Sequence, residues 1–190
     1  MPPTAEPDWL TTWRKGSLVT TAALAAFDAL APVTPAELQG KWKGAVLKTG
    51  HVLDAPLIAL GWSGKNFETA DRVHPMLMAT GQGKEISLNP KLLPLGLAMA
   101  LPALAAHPIT AGAFKTLAPM LTTPHPSARL RQVMFRGKLD TGMVYNHQPI
   151  IDYFRRIDGE TLLGIMEQHG HPRPLFFLLY RERKRIEIRA

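Results

Sequence analysis

The 190-residue chain contains no cysteine. That removes thiolate nucleophiles, iron–sulfur clusters, disulfides and cysteine-ligated zinc together, and it fits a reducing, cytoplasmic compartment. Carboxylates are few: 15 Asp and Glu stand against 22 Lys and Arg, a formal charge of +7. Much of the excess lies in the C-terminal "RERKRIEIRA", with Arg181, Arg183, Lys184, Arg185 and Arg189. Such a tail raises nucleic acid as a partner, but a stacking platform needs aromatics between the cations and none is present. The expectation is therefore a last strand with a basic solvent face, and no nucleic-acid partner. Long apolar runs are also missing. "LLPLGLAMALPALAA", residues 92–106, is broken by Pro94, Gly96 and Pro102. A spanning helix needs roughly 20 apolar residues, so no stable membrane insertion is expected. "MPPTAEPDWL" lacks the basic start and apolar core of a secretory leader. "GKWKG" and "GQGK" lack both phosphate-loop spacings. Seven histidines occur without H-E-x-x-H spacing, and no metal is expected.

What remains is an ordinary globular composition, 46% hydrophobic and 19% charged, able to bury one core without disulfides. Residues 17–31 are rich in helix formers, with Leu24, Phe27 and Leu30 near helical spacing and Pro32 as a stop. In "TPAELQG", Thr34 is a helix N-cap, Pro35 the first helical residue and Gly40 the stop. From Gly40 the pattern alternates: "KWKGAVLKTG" reads as a half-buried strand, and "DAPLIALGWSGKNF" as a short helix or turn before a Gly-punctuated extended piece. Residues 86–127 are apolar and proline-dense, and read as short helical pieces and loops of the kind that cover cavities. Five strands then follow, at about 129–136, 138–146, 149–157, 160–167 and 175–183, joined by short turns that include Asp158-Gly159. A meander of this length curls into a barrel.

Three segments carry a resemblance. "AFDALAPVTPAELQGKWKG", "LGWSGKNF", and "RGKLDTGMVYNHQPIIDYFRRIDGETLLGIM" with "PLFFLLYRER" resemble the family named for its GXWXG motif, paired with a C-terminal domain of unknown function. The family name carries no reaction. Its second domain usually has aspartate after the tyrosine of M-V-Y-D-x-x-P-I, where this chain has Asn146. More distantly, the arrangement is similar to lipocalins, fatty-acid-binding proteins and nitrobindins, whose barrels open with G-x-W and lay a late-strand basic residue across the indole. The resemblance implies a mainly β, calycin-like antiparallel barrel with an N-terminal helix and a helical or loop insertion. Trp42 would be covered by Arg181 or Arg183. The expected organisation is a helical segment over 1–35 and a single barrel domain over 36–190. Within the barrel, 36–85 is the GXWXG part, 86–128 the insertion or lid, and 129–190 the meander.

A barrel of this size holds one small apolar ligand, so the first reading is a hydrophobic-molecule binder: lipid-, terpenoid- or polyketide-like. Its expected lining is Trp42, Trp62, Lys65, Phe67, Tyr145, Phe154 and Met166, with Arg136 as a polar contact. The second reading is a cofactor-independent isomerase, cyclase or hydrolase. Asp152, on the inward face of its strand with Phe154, is the acid or base, and Tyr145 or His51 assists. Arg136 or Arg155 would pair Asp152, or an apolar pocket would raise its pKa; a purely structural Asp–Arg pair is the alternative. His51 and Asp54 form a candidate base–orienter pair. A third reading is haem bound through a histidine, with "HGH" at His169 and His171 as either an axial position or an exposed turn. A homodimer stands open beside a monomer.

Overall fold

The structure is a computed structural model that describes residues 7–16, 18–80 and 83–182. Two helices open it, α1 (Asp8–Lys15) and α2 (Thr20–Ala29), followed by the two-residue strand β1 (Ala31–Pro32) and the single-turn α3 (Pro35–Leu38). Strand β2 (Gly40–Leu47) leads through α4 (Asp54–Leu60) to the hairpin of β3 (Trp62–Thr69) and β4 (Arg72–Ala79), then to β5 (Glu85–Ser87). The proline-dense stretch forms α5 (Leu95–Ala100), α6 (Pro102–Ala105) and α7 (Pro108–Leu117), flanked by 3-10 turns at Pro90–Leu92 and Ala118–Leu121. The meander is β6 (Ala128–Phe135), β7 (Lys138–Tyr145), β8 (Ile150–Arg156), β9 (Thr161–Gln168) and β10 (Leu175–Arg181).

Eight strands close into an antiparallel barrel in the order β8-β7-β6-β4-β3-β2-β10-β9, with β9 returning to β8. The β2–β10 seam is long, running from Leu47 opposite Phe176 to Trp42 opposite Arg181. The β4–β6 seam is short: Val73 faces Ala128, and beyond it β4 pairs with β5 instead. Strand β4 went unread in the sequence because Pro75 cannot donate to a ladder. The barrel admits the proline at a bulge, where Lys65 of β3 lies opposite the stretch between His74 and Leu77.

The interior and exterior of the barrel are both packed. Trp42, Phe67, Met143, Phe154, Leu162, Phe177 and Leu179 fill the inside. Outside, α1 and α2 lay Leu10, Trp13, Ala23 and Phe27 over Leu47, Tyr153, Leu163, Ile165, Phe176 and Leu178. Strands β9 and β10 are thus buried on both faces, which is why "LFFLLY" does not alternate. The outer side of β10 lies under Trp13, whose ring meets Phe176 edge-on at 5.8 Å, and the basic face expected of the last strand falls almost wholly beyond it. Arg183, Lys184, Arg185 and Arg189 lie outside the described residues.

One end of the barrel is shut. Thr34 and Glu37 form a reciprocal capping box that starts α3. The Trp42 indole donates to the Leu38 carbonyl at 2.7 Å, and the Arg181 guanidinium lies 4.2 Å above that ring while donating to the carbonyls of Gln39 and Glu37. The motif explains itself at this point. Gly40 takes φ +109° beside Arg181, and Gly44 carries the Trp62 ring so closely that a Cβ there would sit 2.4 Å from it. Among the described residues no helix is long and apolar enough to cross a membrane.

Candidate functional site

The opposite half of the barrel is not filled. A cavity of about 60 Å³ lies under α4 and the insertion, walled by Leu53, Leu57, Met76, Leu95, Met166 and Phe177 among others. Its polar wall includes Lys65, Tyr145 and Asp152, with Gln148 also in the lining. Each of the first three comes from a different strand, and each is aimed inward for a local reason. Asp152 follows strict alternation along β8, between Ile150 and Phe154. Tyr145 ends the adjoining β7. Lys65 would share its face with Phe67 but not with Trp62 in a regular strand. Gly64, at φ +146°, breaks the phase so that Trp62, Lys65 and Phe67 are all core-facing.

The Lys65 ammonium sits 2.7 Å from Asp152 Oδ2, with side-chain exposures of 2% and 1%. Lys65 also donates to the Pro75 carbonyl at 3.3 Å, and the rings of Phe177, Trp62 and Tyr145 surround it at 4.9, 5.3 and 5.9 Å. The Tyr145 hydroxyl reaches Oδ2 at 3.5 Å. Asp152 Oδ1 is buried and has no partner. Loss of solvent pushes the Asp152 carboxyl up, against the pull of Lys65, and pushes the Lys65 amine down, against the pull of Asp152. Burial and the adjacent carboxylate push the Tyr145 phenol well above its usual range. Burial thus offsets part of the electrostatic attraction between Lys65 and Asp152.

Other expected site residues lie elsewhere. Trp42, Phe67 and Phe154 pack the closed half of the barrel: Phe67 meets Phe154 edge-on at 5.6 Å, and none of the three walls the cavity. Trp62 and Met166 do wall it. Arg136 stands at the β6–β7 turn with φ +46° and grips Asp28 of α2 through two hydrogen bonds, and it does not wall the cavity. Arg155 faces outward as well. It pairs with Asp140 at 2.8 Å, donates to the carbonyls of Phe27 and Phe135, and pins α2 to the barrel. The structural Asp–Arg pair therefore exists, but on Asp140; Asp152 belongs to Lys65.

His51 and Asp54 do not form a base–orienter pair. Asp54 Oδ2 accepts the backbone N–H groups of Thr49, Gly50 and His51, and His51 Nδ1 accepts that of Leu53. Burial, helped by the neighbouring His171, pulls the His51 pKa down to about 4. His171 packs against His51 at 4.5 Å and His169 lies in the same β9–β10 turn; no histidine walls the cavity. At about 60 Å³ the cavity is also far below the roughly 300–1,000 Å³ of a pocket for a drug-sized molecule. Asn146, where the family expects aspartate, accepts from Arg129 on the exposed surface, so the exchange does not touch the cavity.

What sequence reading missed is the groove above. Between α4, β4 and the insertion helices runs an apolar groove of about 190 Å³, lined by Leu60, Met78, Leu97, Leu101, Leu104 and Phe114 among others. Leu53, Leu57, Met76, Leu93 and Leu95 line both groove and cavity, so the two share a wall of apolar side chains. The signal was present as seven prolines among apolar residues, but a groove depends on how short helices cross, which periodicity does not encode.

Residues 25–83 match the family model described as GXWXG protein, and residues 126–181 match that of a domain of unknown function, DUF4334. The first covers α2 to β4 and the second β6 to β10, so the insertion that roofs the groove falls between them. A crystal structure of a protein from Thermomonospora curvata is similar at 28% identity and a TM-score of 0.68, over 92% of this chain and 97% of that one. No curated protein matches significantly.

Proposed function

We propose that this chain, with its GXWXG segment and DUF4334 domain joined in one barrel, binds a small apolar molecule of lipid, terpenoid or polyketide type by its one polar end. The observation that carries the reading is the Lys65–Asp152 pair: both side chains are almost wholly buried, yet they face a cavity rather than packed core. A pair of this kind is a poor stabiliser, since its desolvation offsets much of its attraction. Its position is explained when it receives a hydroxyl or carbonyl group at Asp152 Oδ1 and Lys65 Nζ, while the hydrocarbon body occupies the groove. Outward rotation of Leu57, Met76, Leu93 and Leu95 would join groove to cavity and enlarge the space open to the ligand. A cytoplasmic setting goes with the absence of cysteine.

Organic extraction of protein purified without detergent is the direct test, with mass spectrometry of the extract. An apolar compound at near-stoichiometric yield is expected. If neither extraction nor titration with apolar alcohols and ketones finds an occupant, the reading is wrong.

The unpartnered Oδ1 favours a second step on the same ligand, acid–base catalysis by Asp152 without a cofactor. Asp152 would give its proton to, or take one from, a carbon next to the polar group, as isomerisation requires, with Lys65 balancing the carboxylate charge. Asp152→Asn should then keep binding and lose turnover of the extracted compound. Turnover that survives the substitution would leave binding alone.

A further inference from the structure

Seven of the large apolar side chains that stand exposed on this protein fall in one stretch: Leu92, Leu97, Leu101, Leu104, Ile109, Leu117 and Met120. Their exposures run from 47% to 80%, whereas a soluble surface scatters such residues singly. All belong to the insertion. Leu97, Leu101 and Leu104 have a double position, since they line the apolar groove and are also about half exposed, so the groove opens to the surface among leucines. The same stretch carries no negative charge. No Asp or Glu occurs between Glu85 and Asp140, while Lys91 and Lys115 lie within the helical part. Glu85, at its edge, is neutralised by Lys41 at 2.6 Å.

We infer that the insertion docks on an anionic phospholipid surface, and that the groove mouth opens into that surface to exchange its apolar ligand with the bilayer. A protein partner would fit the leucines equally well, but a tract with two lysines and no carboxylate complements the anionic headgroups of a membrane. The insertion helices span no bilayer: the longest, α7, has 10 residues. Short helices that lie flat can place Ile109, Leu117 and Met120 at the acyl boundary while the lysines stay among the headgroups. This inference rests on the groove being the ligand's path but not on what Asp152 does to the ligand.

The test is co-sedimentation of the full chain with two kinds of vesicle, phosphatidylcholine alone and an equimolar mixture of phosphatidylcholine and phosphatidylglycerol. Binding to the mixed vesicles, weakened by salt, is expected, with little to phosphatidylcholine. Ile109→Asp with Met120→Asp, neither of which lines groove or cavity, should cut that binding by roughly tenfold or more. An unchanged melting temperature in the double variant shows that folding is intact, and retained uptake of an apolar ligand from solution separates this inference from the binding function itself. Three results would overturn it: no binding to either vesicle, equal binding to both, or a double variant that binds like the parent. A parent that runs as a dimer in gel filtration, with the double variant monomeric, would also overturn it, because the apolar tract would then be covered by a second copy.

Discussion

Lys65 and Asp152 are the residues on which the account turns, and their energetics can be separated from their function. Removing one member of a buried ion pair strands the other, at a cost of about 3–5 kcal/mol, whereas replacing both by apolar residues of similar volume is often neutral or stabilising. Lys65→Met should therefore lower the stability measured in urea by about 3–5 kcal/mol. The double variant Lys65→Met with Asp152→Leu should regain most of that loss, or exceed the parent. If the double variant is as unstable as the single, the pair has a structural role that ligand binding need not explain. His51 gives a second prediction at this scale. Its folded pKa, about 4, lies below the ordinary value of 6.5, so the unfolded chain binds the extra proton more readily. The stability it contributes is complete above pH 6.5 and is lost as pH falls toward 4, by up to about 3 kcal/mol. Unfolding midpoints at neutral pH and near pH 4.5 should show the drop, and His51→Gln should flatten it.

Among the elements, β2 and β3 set the site because two glycines position two side chains. A Cβ on Gly44 would meet the Trp62 ring at 2.4 Å, and one on Gly64 would meet the Trp42 carbonyl oxygen at 2.0 Å. Gly44→Ala should cost about 1–3 kcal/mol as Trp62 is driven toward the cavity. Gly64→Ala combines strain at positive φ with a backbone clash and should cost more, on the order of 3 kcal/mol or above. Denaturant titration of both variants checks the order. This is also where the sequence was legible and where it was not. The five meander strands and the capped turn at Thr34 rest on alternation, cap chemistry and turn residues, all of them local, whereas the closure of Trp42 by Arg181 was expected only from the resemblance to barrels that open with G-x-W. Strand β4 was hidden by Pro75, and the pairing of Asp152 with Lys65 was hidden by a bulge at Gly64 that no period of two reveals. Helix α1, with Trp9 and Trp13 one turn apart, lies inside the helical segment expected over 1–35, but its docking on Phe176, which makes Trp13 a core residue, is not encoded locally.

For the whole molecule, the barrel has one shut end and one covered end. Trp42, Arg181 and α3 close the first, while α4 and the insertion cover the second over a small cavity continuous in its walls with an apolar groove. The shut half is stabilising structure: Trp42, Phe67 and Phe154, each a reasonable ligand contact from sequence, act there as core. The covered half holds the residues that are costly to fold, a buried ion pair and exposed leucines, and such costs persist where function requires them. The measurement that tests this most directly is native mass spectrometry of the parent and of the Lys65→Met, Asp152→Leu double variant, both purified without detergent. The account predicts a parent that carries one apolar molecule per chain, and a double variant that is folded and at least as stable as the single variant but empty. A parent at its bare mass, or a double variant with the same occupant in the same yield, would contradict it.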